Sequence, residues 1–420
     1  MTINRREALL SLAGSAAVLA LSDAANAKSQ PLPDSSLLSS DADAYWRRIR
    51  DDQFLMPNER AFLNTGSLGI TPRPVLEAVN AYLEKAAALH IESGYPRWGY
   101  ETLDEERQRM ADFSGCSKDE LAIVHNATEA LSIIVGGMPL EPGAEVLITN
   151  LEHPSGRDPW LVRQAKGEIS VRTVDLPMPP ESPEQLLDVV VGAIGPKTRV
   201  VSFSGIMSPT GWIMPIQEIC DAAREKGVIS VVDGAHMSGQ IDYRIDDMHC
   251  DYYAGSPHKW LFAPAGSGLL YINESRLDEH YPVIATAAWE DKELKAGRFM
   301  RFGTNNRAII EGMMAGLDFA LAIGPDRIYE RIHAMAKDTY RRAREVPYLK
   351  MMSPEDDSMY GCLVTFEIDL PENKLDKLWN LCDQRLIWTT RNPKLRMSSH
   401  IHTRPEDLDL FFETLAEAAA

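Results

Sequence analysis

Short apolar runs alternate with segments of helical period across residues 121–272. AIVHNATEALSIIV reads as a strand, a turn at Asn126-Ala127-Thr128, and a helix opening at Glu129. EVLITNLEHPS and TRVVSFSGIMSPTG each read as a strand running into a polar turn, and QEICDAAREKG reads as a helix. VISVVDGAHMSG follows at once, a strand whose end carries Asp233 and His236, and DYYAGSPHKW and SGLLYI complete the series. This alternation predicts an α/β fold, a mostly parallel sheet with helices on both faces. Polar residues gather where the strands end, which is where open α/β sheets hold their ligands. Upstream, PVLEAVNAYLEKAAAL (74–89) has helical apolar spacing behind a proline. From about Ala308 the pattern changes: helical stretches at 308–346 and 405–419 surround a strand, CLVTFEI, which predicts a smaller α+β C-terminal domain.

The first residues follow a different rule. Residues 1–27 have a basic opening, an apolar run from Ala8 to about Leu21, and the triplet Ala25-Asn26-Ala27. That is the anatomy of a signal peptide cleaved after Ala27, and its apolar run is short for a membrane span. Arg5-Arg6 followed by Leu9-Leu10 resembles a twin-arginine signal, read by the machinery that exports folded proteins to the periplasm. An uncleaved anchor or an ordinary secretory signal stays open. Residues 28–44 are polar without periodicity and read as a linker. The remainder divides into an N-terminal segment with a large domain, 45–307, and a small domain, 308–420.

Composition narrows the partners. With 420 residues and 45% hydrophobic content, the chain can bury a large core. Acids exceed bases, 61 against 43, for a net charge of −18, which argues against nucleic acid as the partner. The five cysteines form no C-x-x-C pair, so no metal site or redox motif is expected.

The chemistry concentrates at Lys259, which follows His258 and precedes Trp260, Leu261 and Phe262. An amine held among apolar groups loses proton affinity and becomes a useful nucleophile. Asp233, at the preceding strand end, is the acid that would share its pocket, although acid and lysine alone also read as a structural ion pair. Ala127-Thr128 opens a helix, a ready anion site, and Ser256 and His258 offer further donors. A phosphate site, a reactive lysine and a buried acid are what pyridoxal phosphate requires.

VVDGAH…DYYAGSPHKWL resembles the signature of class V aminotransferases, fold-type I pyridoxal phosphate enzymes that include cysteine desulfurases, kynureninase and isopenicillin N epimerase. The resemblance runs from about residue 60 to the C-terminus, with several motifs in the family's order. It implies that Lys259 forms the Schiff base and shuttles protons, that Asp233 partners the pyridine nitrogen, and that His236 bonds near the ring 3-hydroxyl. His153, in NLEHPS, matches the aromatic residue stacked on the ring. Ala127, Thr128, Ser256 and His258 match the phosphate turn. Thr304, in RFGTNN, resembles a phosphate contact made into the neighbouring subunit, which implies a homodimer with a shared active site. Arg396 resembles the arginine that clamps the substrate α-carboxylate, and Asn64, in FLNTGSLG, matches a motif near the substrate entrance.

Two departures refine the resemblance. Ser208-Pro209-Thr210-Gly211 stands where many members carry asparagine and is similar to the isopenicillin N epimerase-like branch, with Ser208 placed to bond the ring oxygen. LIWTTRNPK, before Arg396, has no cysteine where desulfurases form a persulfide, and Cys362 and Cys382 do not look like loop nucleophiles, which argues against desulfurase activity. The expected function is an exported pyridoxal phosphate enzyme, an isomerase or transferase acting on a small-molecule amine or on the amino-acid moiety of a peptide or secondary metabolite. Epimerisation or transamination-like chemistry leads. A decarboxylase, oxidative or not, or a lyase, as in periplasmic siderophore maturation, stays open. So does a silent binding protein of the same fold. A Rossmann nucleotide enzyme, which needs a G-x-G-x-x-G that is missing here, is a minor alternative.

Overall fold

A computed structural model describes residues 28–89, 101–286 and 288–420. The signal peptide expected over 1–27 lies outside the described residues. Strand β1 (Ala61–Phe62) precedes the main sheet, which is built from β2 (Leu121–Val124), β3 (Ala144–Thr149), β4 (Ile169–Val174), β5 (Thr198–Ser204), β6 (Ile229–Gly234), β7 (Tyr252–Gly255) and β8 (Gly268–Ile272). β9 (Leu349–Met351), β10 (Leu363–Ile368), β11 (Ile387–Trp388) and β12 (Lys394–Ser398) belong to the C-terminal part.

The main sheet has the order β2-β8-β7-β6-β5-β3-β4. β7, β6, β5, β3 and β4 run parallel, while β8 lies antiparallel between β7 and β2. Its central strands read as near-continuous apolar, β-branched or aromatic runs, as strands covered on both faces must. Val200, Val231, Val232, Tyr252 and Tyr253 are all buried. Register brings the strand ends level: Ser204 pairs with Asp233, Asp233 with Ala254, and Gly234 with Gly255. The polar residues that the sequence placed after each strand therefore collect along one edge.

Several boundaries differ from the sequence reading. The helix after β2 begins at Ala127 rather than Glu129, because the Asn126 side chain accepts the Glu129 N–H at 2.9 Å and caps it. The stretch 308–346 is two helices, Arg307–Ile323 and Pro325–Arg344, broken at Gly324 with φ 101°. Residues expected as linker are partly helical: Ser35–Ser40 is capped by Asp34 and leads into the helix Ala42–Gln53, capped by Asp41. Ser35–Ser40 is too short to show a hydrophobic period, and Ala42–Gln53 turns its apolar face inward only from Tyr45, past the expected linker's end.

The small domain centres on the antiparallel sheet β12-β10-β9. The N-terminal segment, grouped with the large domain from sequence, touches both parts: the Gly69 N–H donates to the His258 carbonyl at 3.0 Å, and the segment also packs on the small domain. β1 pairs with β11 in parallel. Buried Arg50 donates to the His402 and Arg60 carbonyls, both at 2.6 Å, and lies 3.4 Å from the buried Asp407 carboxylate. This fastening carries Asn64, Gly66 and Ser67 across to the substrate side of the strand ends.

Candidate active site

Lys259 sits on a single helical turn, Pro257–Trp260, directly after β7. Its amine lies 3.2 Å from His236 Nε2. Desolvation lowers its proton affinity to about 8; nearby Asp233 opposes the shift and Arg396 adds to it. Asp233, at the end of β6, is buried, and its carboxyl is raised by desolvation although the Ala235 N–H donates to Oδ1 at 3.0 Å. His236 is buried too, held well below the ordinary histidine range by desolvation and then by the neighbouring cations.

One end of the pocket is built for an anion. The helix Ala127–Gly137 points its N-terminus there, with its positive dipole end. The Ala127 N–H donates to Ser256 Oγ at 3.3 Å, and Thr128 Oγ1 to Ser155 Oγ at 2.8 Å. His258 commits Nδ1 to the Ser267 carbonyl at 2.8 Å. The other end presents Arg396, whose Nη1 donates to the Ser208 carbonyl and hydroxyl oxygens at 2.8 and 3.0 Å. Its Nη2 reaches Ser67 Oγ at 3.0 Å, while Nε is buried without a partner. Among the described residues no carboxylate pairs with this guanidinium, and desolvation lowers it to about 10.

These groups line one cavity of about 250 Å³ with His153, Ser155, Ser204 and Asp233. His153 caps the helix Pro154–Ala165, accepting the Ser155 N–H at 3.2 Å, and also lines the cavity. Ser208, His236, Ser256, His258, Lys259, Ala127, Thr128 and Arg396 all gather as expected. Asn64 does not line the cavity, but its Oδ1 accepts from Ser67 Oγ at 2.9 Å and from Arg396 Nη2 at 3.4 Å. Thr304 is exposed and lies outside the cavity lining of its own chain.

Three residues were missed. Ser67 lies inside the motif FLNTGSLG, where only Asn64 was singled out, and Ser204 is a single hydroxyl at the end of β5. Glu152, beside His153, is buried with Oε1 on Thr149 Oγ1 at 2.5 Å and Oε2 on Ser204 Oγ at 2.7 Å. Its carboxyl is pushed up to about 7, first by desolvation and further by Asp233. Adjacency to His153 was the available signal.

The residues present fit pyridoxal phosphate. A lysine of depressed proton affinity suits its carbonyl, a buried acid its ring nitrogen, and a helix N-terminus with serine, threonine and histidine donors its phosphate. The empty guanidinium suits a substrate carboxylate.

Comparison with known proteins agrees. Isopenicillin N epimerase of Streptomyces clavuligerus is 30% identical over 391 residues, covering 89% of this chain and 98% of its own. Cysteine desulfurase from Thermococcus onnurineus NA1 superposes with a TM-score of 0.76 at 21% identity, covering 94% of this chain and 99% of that one. A lysine-to-alanine mutant of the cystine C–S lyase C-DES, with glycine covalently linked to its PLP cofactor, gives 0.73 at 23% identity, covering 92% and 99%. Residues 62–388 match the family described as Aminotransferase class-V, and the chain belongs to this family of pyridoxal phosphate enzymes.

Proposed function

We propose that this chain is an exported pyridoxal phosphate enzyme that modifies the amino-acid moiety of a peptide or secondary metabolite at its α-carbon, by epimerisation or transamination-like chemistry. The observation that carries the reading is a lysine amine of lowered proton affinity sharing one cavity with a guanidinium that has no acid opposite it. An amino acid's amine and carboxylate answer those two groups.

Pyridoxal phosphate, when bound, supplies the electron sink that weakens a bond at the substrate's α-carbon. The chain supplies the rest. Asp233 would hold the pyridine nitrogen, His153 would cover the ring, and the helix beginning at Ala127 would hold the phosphate with Ser256 and His258. Arg396 fixes the carboxylate, and Lys259, free as a neutral amine near pH 8, takes the α-proton and returns it. Free amine and free α-carboxylate are both needed here, so the remainder of a larger substrate attaches through the side chain. Room for it lies in a second cavity of about 400 Å³ that shares His153, Ser208 and Arg396 and is walled by Pro154, Pro209 and Met352.

The thiols argue against desulfurase chemistry. Among the described residues no cysteine lines the Lys259 cavity, and Cys362 and Cys382 are buried with thiols pushed up by desolvation. The enzyme works as a homodimer in which exposed Thr304 completes the partner's phosphate site, and it acts in the periplasm after twin-arginine export.

The test is incubation of cofactor-loaded protein in D₂O with L-glutamate and with glutathione, whose glutamate is linked through its side chain. Deuterium at the α-carbon together with the D-isomer supports epimerisation, and an α-keto product supports transamination. Release of CO₂ replaces both with decarboxylation. Absence of any α-proton exchange with either substrate and with a panel of side-chain-linked peptides overturns the reading.

A further inference from the structure

We infer that Trp260 is a positioning residue: its indole N–H fixes the ring proton of His236 on Nε2, so that His236 and Ser208 both present donors to the cavity. Trp260 Nε1 lies 3.3 Å from His236 Nδ1. An indole N–H only donates, so Nδ1 must be bare. The buried His236 ring is neutral, and a neutral imidazole has one N–H. That hydrogen is therefore on Nε2, 3.2 Å from Lys259 Nζ and 3.3 Å from Ser208 Oγ.

The direction propagates. Ser208 Oγ already accepts from Arg396 Nη1 at 3.0 Å, and guanidinium is donor-only. Ser208 Oγ faces Arg396 Nη1 and the one His236 Nε2–H, which it shares with Lys259 Nζ, so its hydroxyl keeps its own hydrogen for the cavity. Lys259 in turn is met by an N–H rather than by a lone pair, which favours its neutral amine over its ammonium. Two serial donor-only residues, Trp260 and Arg396, thus orient a chain that His236 and Ser208 alone leave undetermined.

Trp260 is itself held in place. It is 0% exposed, stacks on His400 at 5.8 Å and 22°, and its carbonyl accepts from His400 Nε2 at 3.1 Å. His400 Nδ1 accepts the Ile401 N–H at 2.8 Å, which puts the His400 proton on Nε2 as well. The His236 backbone is pinned by Gln240, whose Nε2 donates to its carbonyl at 2.7 Å.

The inference rests on the pyridoxal phosphate reading only for what the donors receive, namely the ring oxygen. Its core is tested without cofactor, by NMR of protein carrying ¹⁵N-labelled histidine. The nitrogen shifts separate protonated from bare ring nitrogens. Cofactor-free wild-type protein is expected to show His236 protonated on Nε2 and bare on Nδ1. In Trp260→Phe, and in protein whose Trp260 indole is replaced by benzothiophene of the same shape, the Nδ1–H form is expected to appear. Affinity for pyridoxal phosphate then falls about tenfold, the scale of one hydrogen bond turned from donor to lone pair. Nδ1–H in the wild-type protein, or Nε2–H retained in full with unchanged affinity in both variants, overturns the inference. If Trp260→Phe does not fold, the wild-type spectrum and the benzothiophene protein decide. A wild-type protein with the expected tautomer that binds no pyridoxal phosphate refutes the cofactor reading and leaves the tautomer assignment standing.

Discussion

Arg396 donates from one nitrogen to both oxygens of Ser208, at 2.8 and 3.0 Å, and meets no acid among the described residues. Ser208 orients the guanidinium without neutralising it, which leaves the charge for a ligand. Arg396→Gln keeps a donor and removes the charge. A desolvated guanidinium–carboxylate pair contributes on the order of 2–5 kcal/mol, so KM for an amino-acid substrate is expected to rise roughly 100-fold. The cofactor's visible absorption band should persist, since Arg396 stands at the other end of the cavity from the phosphate turn. Steady-state kinetics and a spectrum check the two halves separately. Loss of the band with unchanged KM would place Arg396 on the cofactor instead.

Lys259 sets a pH dependence. Only its neutral amine captures a carbonyl, and its proton affinity is lowered to about 8. The rate at which cofactor-free protein captures pyridoxal phosphate should rise about tenfold per pH unit below that value and level off above it. An ordinary lysine would keep rising to about pH 10. Asp233, Arg396, His153, His236 and His258 share the cavity with the amine. Because Arg396 lowers the midpoint and Asp233 raises it, Arg396→Gln should move it up and Asp233→Asn down. Stopped-flow absorbance across pH 6–10 reads all three.

Legibility divided along a physical line. Lys259, Asp233, His236, Ser256 and His258 were readable because each follows a strongly apolar strand, and parallel register aligns those ends whatever the loops do. Arg396 and His153 were readable through resemblance. Glu152 was not, because its burial depends on Ser204, a hydroxyl from another strand that sequence order does not bring near. Ser67 escaped for the same reason: it faces Arg396 only because β1, two residues long and without a period, docks on β11. Trp260 stood in the quoted motif as an apolar neighbour, yet its contribution is a polar N–H whose partner lies on a different strand end.

Glu152 makes a prediction about stability. Its folded carboxyl titrates near 7 against an unfolded value of 4.5, so the folded state holds the proton more tightly. Stability present below the unfolded value is lost as pH rises from 4.5 through about 7. The shift corresponds to on the order of 3 kcal/mol. Glu152→Gln keeps an acceptor for one of the Thr149 and Ser204 hydroxyls, donates its amide N–H to the other, and cannot ionise. It should match wild-type stability near pH 4 and exceed it by about that amount at pH 8. Urea unfolding at the two pH values checks this, and a variant weaker than wild type at pH 8 would mean the ionised carboxylate is stabilised by something the neutral group lacks.

Gly268 is the last residue on which phosphate binding and fold both turn. It opens β8 opposite Val124, where the chain leaves β2 for the helix that starts at Ala127. A Cβ there would sit 2.5 Å from the Asn126 nitrogen and 2.6 Å from its Cα. Those are backbone atoms, so no rotamer change relieves the contact, and either β8 leaves β2 or the Asn126 cap moves. Moving the cap turns the Ala127 and Thr128 N–H groups away from the anion end of the cavity. Gly268→Ala is therefore expected to cost about 2 kcal/mol or more of stability, and to weaken pyridoxal phosphate more than pyridoxal, which lacks the phosphate. Fluorescence titration with both compounds separates the effects. Equal weakening for the two would mean the strand had shifted as a whole and the helix N-terminus holds no phosphate, whereas selective loss of the phosphorylated form ties this glycine's missing side chain to the anion site.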